Sequence, residues 1–129
     1  MRIPLALRDE MQAIVRSAAP EEACGMIGGL EDEARLICEV ENELHSPVRF
    51  RMRGEDQLRG FMLLEANGLD LVGIFHSHPS SPAYPSATDV AEFYYPGVLT
   101  LIWSPVPDGW HVRAFHIEDG AVSEVELLT

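Results

Sequence analysis

The most constraining stretch of the sequence is an apolar run, residues 69–78, that ends in two histidines. Side chains alternate along a strand, so His76 and His78 share one face with Val72 and Ile74. The other face is apolar as well, which predicts a central strand that is covered on both sides. The fold must therefore place two histidines, about 6.6 Å apart at the backbone, at the end of a buried strand.

A third candidate ligand, Asp89, follows His78 after a proline-rich loop at residues 79–85. Two imidazoles and a carboxylate are zinc ligands, and three protein ligands with an open fourth position are typical of a catalytic zinc site. Ser86 and Asp89 also have the spacing of a helix capping box, which needs no metal. Both interpretations can hold together, because a cap would fix Asp89 on a rigid helix start.

Hydrophobic periodicity predicts the elements that surround this strand. The predicted helices are residues 4–19, 54–67 and 86–95, and the other predicted strands are residues 21–30, 34–41, 98–103, 110–117 and 121–128. Residues 48–52 fit either a short strand or an extended segment, and residues 104–109 fit a turn. Because strands come in hairpins with helices between them, the pattern predicts an α+β fold with a mixed sheet and helices packed on it.

The strand predicted at residues 21–30 is rich in glycine, and glycines inside a strand indicate a close backbone approach or a bend. The hairpin that it forms would bring Cys24 towards Cys38. Neither cysteine belongs to a CxxC pair, so both are expected to be buried thiols in a reducing compartment.

The length of 129 residues fits one domain, residues 1–129, with its own core. The net charge is −12 and the sequence contains no lysine, which argues against a nucleic-acid partner. No run approaches the ~20 apolar residues of a membrane span, and no signal peptide precedes Arg8. These features predict a cytoplasmic protein with no membrane or nucleic-acid partner.

Hydrolysis at a metal also needs a carboxylate that takes a proton from water and returns it. Among the 21 acidic residues, Glu22 is unusual because it stands at the start of the glycine-bearing apolar strand. Glu21 is the obvious competitor. An ordinary surface glutamate at a strand edge is the alternative interpretation of Glu22.

Together these residues resemble a known family. His76-Ser77-His78-Pro79 with Ser86 and Asp89 is similar to the metalloprotease signature of the JAMM (JAB/MPN+) family, and Glu22-Ala23-Cys24-Gly25 is similar to its Glu-x-Cys-Gly stretch. The resemblance covers nearly the whole chain. It implies a curved, mostly antiparallel sheet flanked by helices, the deaminase-like MPN/JAB fold.

The resemblance also implies the chemistry. His76, His78 and Asp89 would bind Zn²⁺, Glu22 would be the general acid/base with Glu21 outside the site, and Ser86 would stabilise the oxyanion. The implied reaction is hydrolysis of peptide or isopeptide bonds at the C-terminal tail of ubiquitin-like proteins. The chain resembles the small prokaryotic members, so the implied substrate is a ubiquitin-like or sulfur-carrier protein with a Gly-Gly tail.

Three alternatives stay in view. The first is a non-catalytic binding module of the MPN type, although this chain keeps every motif position. The second is a RadC-like protein associated with DNA repair, which the acidic, lysine-free composition disfavours. The third, a zinc nucleoside deaminase, would need a Pro-Cys-x-x-Cys pair that the sequence lacks. His45, His111 and His116 are assigned no role.

Overall fold

The computed structural model describes residues 1–129 as three helices and one six-stranded sheet. In chain order the elements are α1 (Leu5–Ala18), β1 (Cys24–Leu30), β2 (Glu33–Val40), α2 (Gly54–Ala66), β3 (Asp70–Ser77), α3 (Ala87–Ala91), β4 (Leu99–Val106), β5 (Gly109–Glu118) and β6 (Ala121–Val125). The strand order across the sheet is β2-β1-β3-β4-β5-β6. No helix is long and apolar enough to cross a membrane.

The predicted central strand is confirmed, because β3 lies between β1 and β4. It pairs antiparallel with β1 and parallel with β4, and all the other pairings are antiparallel. His76 lies opposite Cys24 on one side and Ile102 on the other. The prediction of an α+β fold with a mixed, mostly antiparallel sheet is therefore confirmed.

The two long helices cover opposite faces of the sheet. On β1, Ile27 belongs to the core cluster that includes Met11 and Val15 of α1, whereas Met26 belongs to the cluster that includes Leu64 of α2. Successive strand residues point to opposite faces. His76 shares its face with Met26, through the pairing of Met26 with Ile74, and therefore lies on the α2 side.

The glycines of β1 permit the close approach that the sequence indicated. A Cβ at Gly28 would collide with Leu64 of α2, so the helix can pack here only against a bare backbone. Cys24 and Cys38 lie in the same apolar cluster as free, buried thiols. They are not direct cross-strand partners, because Cys24 pairs with Val40 and Cys38 with Met26.

Two element boundaries differ from the sequence prediction near the site. Helix α3 ends at Ala91 instead of continuing to about residue 95. Tyr95 precedes Pro96, and a residue before proline disfavours the α conformation. Strand β4 continues through Pro105 to Val106, where a turn was predicted. A proline is tolerated there because β4 pairs with β3 only as far as Trp103, so no ladder bond is lost.

The predicted first strand is also shorter than expected. β1 begins only at Cys24, so Glu22 lies in the connection that precedes it. Residues 48–52 are extended, and their one ladder contact is an isolated bridge between Asn42 and Met52. The predicted hairpin turn at residues 118–120 is confirmed, with positive φ angles of 50° at Asp119 and 80° at Gly120.

Candidate active site

Three candidate ligand atoms converge at the end of β3. The Nε2 atoms of His76 and His78 are 3.2 Å apart, and Asp89 Oδ2 lies 3.2 Å from the first and 3.1 Å from the second. Ligands bound at ~2.0–2.1 Å around a tetrahedral ion are roughly 3.3–3.4 Å from one another. The triangle therefore has close to the spacing that a zinc ion requires, and the three side chains are almost completely buried.

The end of β3 is anchored on both sides, which fixes the two histidines. The Ser77 amide donates to the Ala23 carbonyl at 3.1 Å, and the His78 amide donates to the Trp103 carbonyl at 2.8 Å. His78 thus leaves the strand ladder while its main chain is still held by β4. Its Nδ1 faces the Pro82 carbonyl at 2.9 Å, so this nitrogen can carry the proton and leave Nε2 free for a metal.

Asp89 is held by the start of α3. The Asp89 amide donates to Ser86 Oγ at 3.0 Å, and Asp89 Oδ2 accepts from the Ser86 amide at 2.9 Å. This is the capping box that the spacing predicted, and the oxygen that closes it is the same Oδ2 that faces the histidines. The cap and ligand interpretations are therefore geometrically compatible in one side chain.

The charges of these three groups are coupled. Burial alone would raise the pKa of Asp89, but hydrogen bonds with His76 and His78 hold it well below its usual range. Burial lowers the pKa of His76. Burial would also lower the pKa of His78, but its bonds to Asp89 and the Pro82 carbonyl raise it above the ordinary value. Asp89 is therefore an anion beside two imidazoles, which is the charge pattern of a cation site.

Glu22 lies beside the same two histidines. Its carboxylate belongs to a buried group with His76 and His78, whose ligand atoms all lie within 4.8 Å of one another. The residue is only 4% exposed, and its Oε1 has no hydrogen-bond partner. Glu21 points away, with 43% of its side chain exposed and His45 at 3.4 Å.

The environment of Glu22 changes its acidity. Burial raises the pKa of Glu22 to about 8, with an opposing effect from His78 and a further increase from Asp89. A carboxyl group in this range can exchange a proton near neutral pH. Glu22 thus has the properties of an acid/base group, whereas Asp89 has those of a permanent anion.

A divalent cation fits these residues. Three ligand atoms lie at tetrahedral spacing, and a buried carboxylate oxygen without a partner lies next to them. A polar atom buried without a partner costs free energy, and a water or ion in the site would relieve this cost. The ligand set of two histidines and one carboxylate is one that zinc accepts.

A cleft of about 450 Å³ opens beside the triangle, next to His76 and Asp89. One wall is residues 49–52, which precede α2, and the other is residues 92–95, which follow α3. Arg49 and Glu92 join the walls through an ion pair of 2.7 Å. Sequence patterns did not indicate this cleft, because neither wall has a hydrophobic periodicity.

Phe50, in one wall of this cleft, contacts the candidate ligand His76. Its ring stacks on the His76 ring, with centroids 4.5 Å apart and an interplanar angle of 25°. His76 Nδ1 is buried and has no hydrogen-bond partner, so Phe50 provides packing where His78 has a hydrogen bond. The sequence prediction missed Phe50; the signal available was an aromatic residue in an extended segment between arginines.

The other histidines lie away from the site, as expected. His45 is exposed beside Glu21, and His111 and His116 are exposed on β5.

Comparison with known proteins identifies the family. The sequence profile of the prokaryotic homologs of the JAB domain matches residues 4–118. The chain belongs to the prokaryotic JAB family. This confirms the family resemblance that the two sequence motifs indicated.

Curated relatives of this JAB-family chain match it at about one-third identity. A desampylase of Pyrococcus furiosus is 32% identical over 92% of this chain and 84% of its own length. A CysO-cysteine peptidase of Mycobacterium tuberculosis is 34% identical over 92% and 83%. A probable TtuB-protein conjugate cleaving protease of Thermus thermophilus is 32% identical over 98% and 80%. Two of these names thus state a peptidase or protease.

Solved structures confirm the JAB fold. A Desulfitobacterium hafniense protein superposes with a TM-score of 0.90 at 33% identity, covering 98% of this chain and 90% of that one. A JAB1/MPN domain protein from Archaeoglobus fulgidus has a TM-score of 0.64 at 21% identity, with both chains fully covered. The fold is therefore that of the JAB/MPN domain.

Proposed function

We propose that this chain is a zinc-dependent metallopeptidase that cleaves the peptide or isopeptide bond after the C-terminal tail of a ubiquitin-like protein. One observation carries the proposal. A triangle of two imidazoles and a carboxylate at zinc-ligand spacing lies beside a separate buried carboxyl group whose pKa is raised to about 8. A structural site would need the ligands but not the adjacent acid/base group.

In this proposal His76, His78 and Asp89 hold Zn²⁺. When bound, the ion supplies Lewis acidity, which acidifies water and polarises a carbonyl group. Glu22 accepts the proton of the attacking water and donates it to the leaving amine, because its carboxyl group is buried beside the two histidines and its Oε1 has no other partner. Ser86 Oγ accepts the capping bond from the Asp89 amide, so its O–H group is free to donate a hydrogen bond to the oxyanion of the tetrahedral intermediate.

The substrate class is proposed from the relatives and the cleft. The relatives are named for a desampylase, a CysO-cysteine peptidase and a TtuB-protein conjugate cleaving protease. We therefore propose a ubiquitin-like or sulfur-carrier protein with a Gly-Gly tail as the substrate. The cleft beside His76, of about 450 Å³, is the site where we propose that the extended tail binds.

The proposal also includes a cytoplasmic location and the absence of a nucleic-acid partner. The net charge of −12 and the absence of lysine disfavour a nucleic-acid partner. Two free, buried cysteines are consistent with a reducing cytoplasm. We also propose that residues 1–129 form one domain, because one continuous sheet carries both core faces.

A defined substrate tests the function. Ubiquitin-like proteins that end in Gly-Gly, fused through that end to a short peptide or to a lysine side chain, are incubated with zinc-loaded protein. We expect mass spectrometry to find cleavage directly after Gly-Gly, its loss on treatment with a chelator, and its return with zinc. No cleavage of any such fusion by protein that contains zinc would refute the substrate proposal.

A further inference from the structure

Asn42 forms an unusually complete set of hydrogen bonds just behind the site. Its Nδ2 donates to the carbonyl of Glu22 and to the carbonyl of Arg49, each at 3.0 Å. Its Oδ1 accepts from the amides of Leu44 and Arg51, each at 3.1 Å. The residue is 7% exposed, and both N–H groups and both oxygen lone pairs of its amide are used.

These four bonds join two parts of the site directly. One is the main chain at Glu22, which precedes β1. The other is the segment at residues 49–51, which forms one wall of the cleft and carries Phe50 against His76. A single side chain therefore connects the acid/base residue to the cleft wall.

The bond from Asn42 to the Glu22 carbonyl restrains the main chain at the proposed acid/base residue. Glu22 lies outside the sheet ladder, so its position depends on contacts with loops. Its amide donates to the Ser46 carbonyl at 2.8 Å, and the next amide, that of Ala23, donates to Ser77 Oγ at 2.8 Å. Asn42 supplies the bond to the remaining carbonyl. Without it, the peptide group between Glu22 and Ala23 keeps only the bond from its amide to Ser77 Oγ, so the main chain that carries the Glu22 carboxyl group is held less firmly.

We propose that Asn42 is a positioning residue that fixes Glu22 and the cleft wall relative to each other. The inference rests on the proposed peptidase function, because it concerns the placement of that function's acid/base group. Asn42 does not touch the reacting atoms. It acts through the main chain, and acid/base catalysis is sensitive to displacements of about 1 Å.

The test is a double-mutant cycle on the tail-fusion substrate. Asn42→Asp keeps the two acceptor bonds and removes both donor bonds, and Asn42→Ala serves as the second variant if the aspartate prevents folding. We expect either change to lower kcat by ~10–100-fold while bound zinc stays near one equivalent per chain. In a Glu22→Gln background the same change should alter the residual kcat by less than about twofold, because the group that it positions is gone.

KM distinguishes the bonds of Asn42 to the cleft wall from its bond to the Glu22 carbonyl. A several-fold rise in KM, which reports the cleft wall, should persist in both backgrounds. The matched control is Asn67→Ala, which removes the side-chain bond of the other asparagine to a main-chain carbonyl, that of Leu63, at the exposed end of α2. It should leave kcat and KM unchanged. An equal loss of kcat in both backgrounds, an unchanged kcat, or a loss of zinc would overturn the proposal.

Hydrogen exchange tests, without a substrate, whether Asn42 connects the main chain at Glu22 to the cleft wall. In Asn42→Ala, the amides of Glu22 and Arg51 should exchange faster together, whereas Asn67→Ala should leave both unchanged. If wild-type protein cleaves no tail, the proposed function fails, but this measurement still tests the connection. Unchanged protection at Glu22 in Asn42→Ala would contradict it.

Discussion

The two buried carboxyl groups of the site, Asp89 and Glu22, lie beside the same two histidines and have opposite properties. Asp89 Oδ2 faces both imidazoles and accepts from the Ser86 amide, and its pKa lies well below the usual range. Glu22 Oε1 has no partner, and burial raises the pKa of Glu22 to about 8.

The difference shows how one pocket can contain two chemical roles. A carboxylate that receives hydrogen bonds stays charged and suits a ligand, whereas one that loses hydration without compensation holds its proton and suits an acid/base group. The local structure sets this difference. Asp89 belongs to a capped helix start, and Glu22 lies in an irregular connection before a strand.

The largest effect should come from neutralising the charged carboxylate. Asp89→Asn removes the anion of the ligand triangle, so we expect zinc affinity to fall by at least ~100-fold and cleavage to fall to background. Zinc content is measured by elemental analysis after dialysis. Asp108→Asn, at an exposed turn, is the control. Full zinc binding by Asp89→Asn would exclude Asp89 as a ligand.

The raised pKa of Glu22 predicts a pH-dependent stability. Folded protein holds this proton up to about pH 8, whereas the unfolded chain releases it near the ordinary value of 4.5. The contribution of protonated Glu22 to the stability of the folded protein is thus fully present below pH 4.5, and it is lost as pH rises towards and through 8. In protein freed of metal by a chelator, Glu22→Gln should have the same free energy of unfolding as the wild type at pH 4 and a higher one at pH 8. We expect a difference of about 2 kcal/mol at pH 8, because water at the open side of the site reduces the full effect.

Denaturant unfolding at several pH values measures this difference. Glu21→Gln is the matched control, because that side chain is exposed and its substitution should give no comparable rise between the two pH values. A Glu22→Gln advantage that is the same at pH 4 and pH 8 would show that Glu22 does not titrate in this window.

Ser86 separates the capping role from the oxyanion role. Ser86→Ala loses the bond from the Asp89 amide, which should cost about 1 kcal/mol of unfolding free energy. If the hydroxyl also donates to the oxyanion, kcat should fall by ~10²-fold. Ser86→Thr keeps both functions and should retain most activity. A loss of stability in Ser86→Ala with kcat changed less than twofold would leave Ser86 as a cap alone.

The smallest predicted effect concerns the uneven support of the two histidines. His78 is oriented by a hydrogen bond to the Pro82 carbonyl, whereas His76 is oriented by stacking on Phe50. Phe50→Ala should weaken zinc binding by ~10-fold, as a chelator competition titration would measure. Phe61→Ala on α2 is the aromatic control and should leave the zinc affinity unchanged. Unaltered affinity in Phe50→Ala would mean that the strand alone orients His76.

The convergence of His76, His78 and Asp89 could be predicted from the sequence because its geometry is local. Alternation along β3 places His76 and His78 on one face, and the spacing of Ser86 and Asp89 gives the cap. Glu22 is different. Its approach to the histidines depends on the pairing of β1 with β3, which brings Cys24 opposite His76. Its position before a glycine-bearing apolar strand made Glu22 a candidate, but only the family resemblance separated it from Glu21.

The cleft and the Asn42 hydrogen bonds that hold one of its walls could not be predicted from the sequence, because they also depend on tertiary contacts. Residues 49–52 and 92–95 are irregular segments that meet through tertiary contacts, such as the ion pair between Arg49 and Glu92. The early end of α3 contributes, because it leaves residues 92–95 free to form a wall. Asn42 follows a strand in the sequence and gives no sign that its amide connects four main-chain groups.

The most direct test of the two-carboxyl account is Glu22→Gln, assayed for zinc and for cleavage in the same preparation. The account predicts one zinc per chain, as in the wild type, together with a loss of ~10²–10⁴-fold in kcat on a Gly-Gly tail fusion. Retained zinc with full cleavage would remove Glu22 from the acid/base role. Lost zinc would make it a ligand and remove the distinction from Asp89.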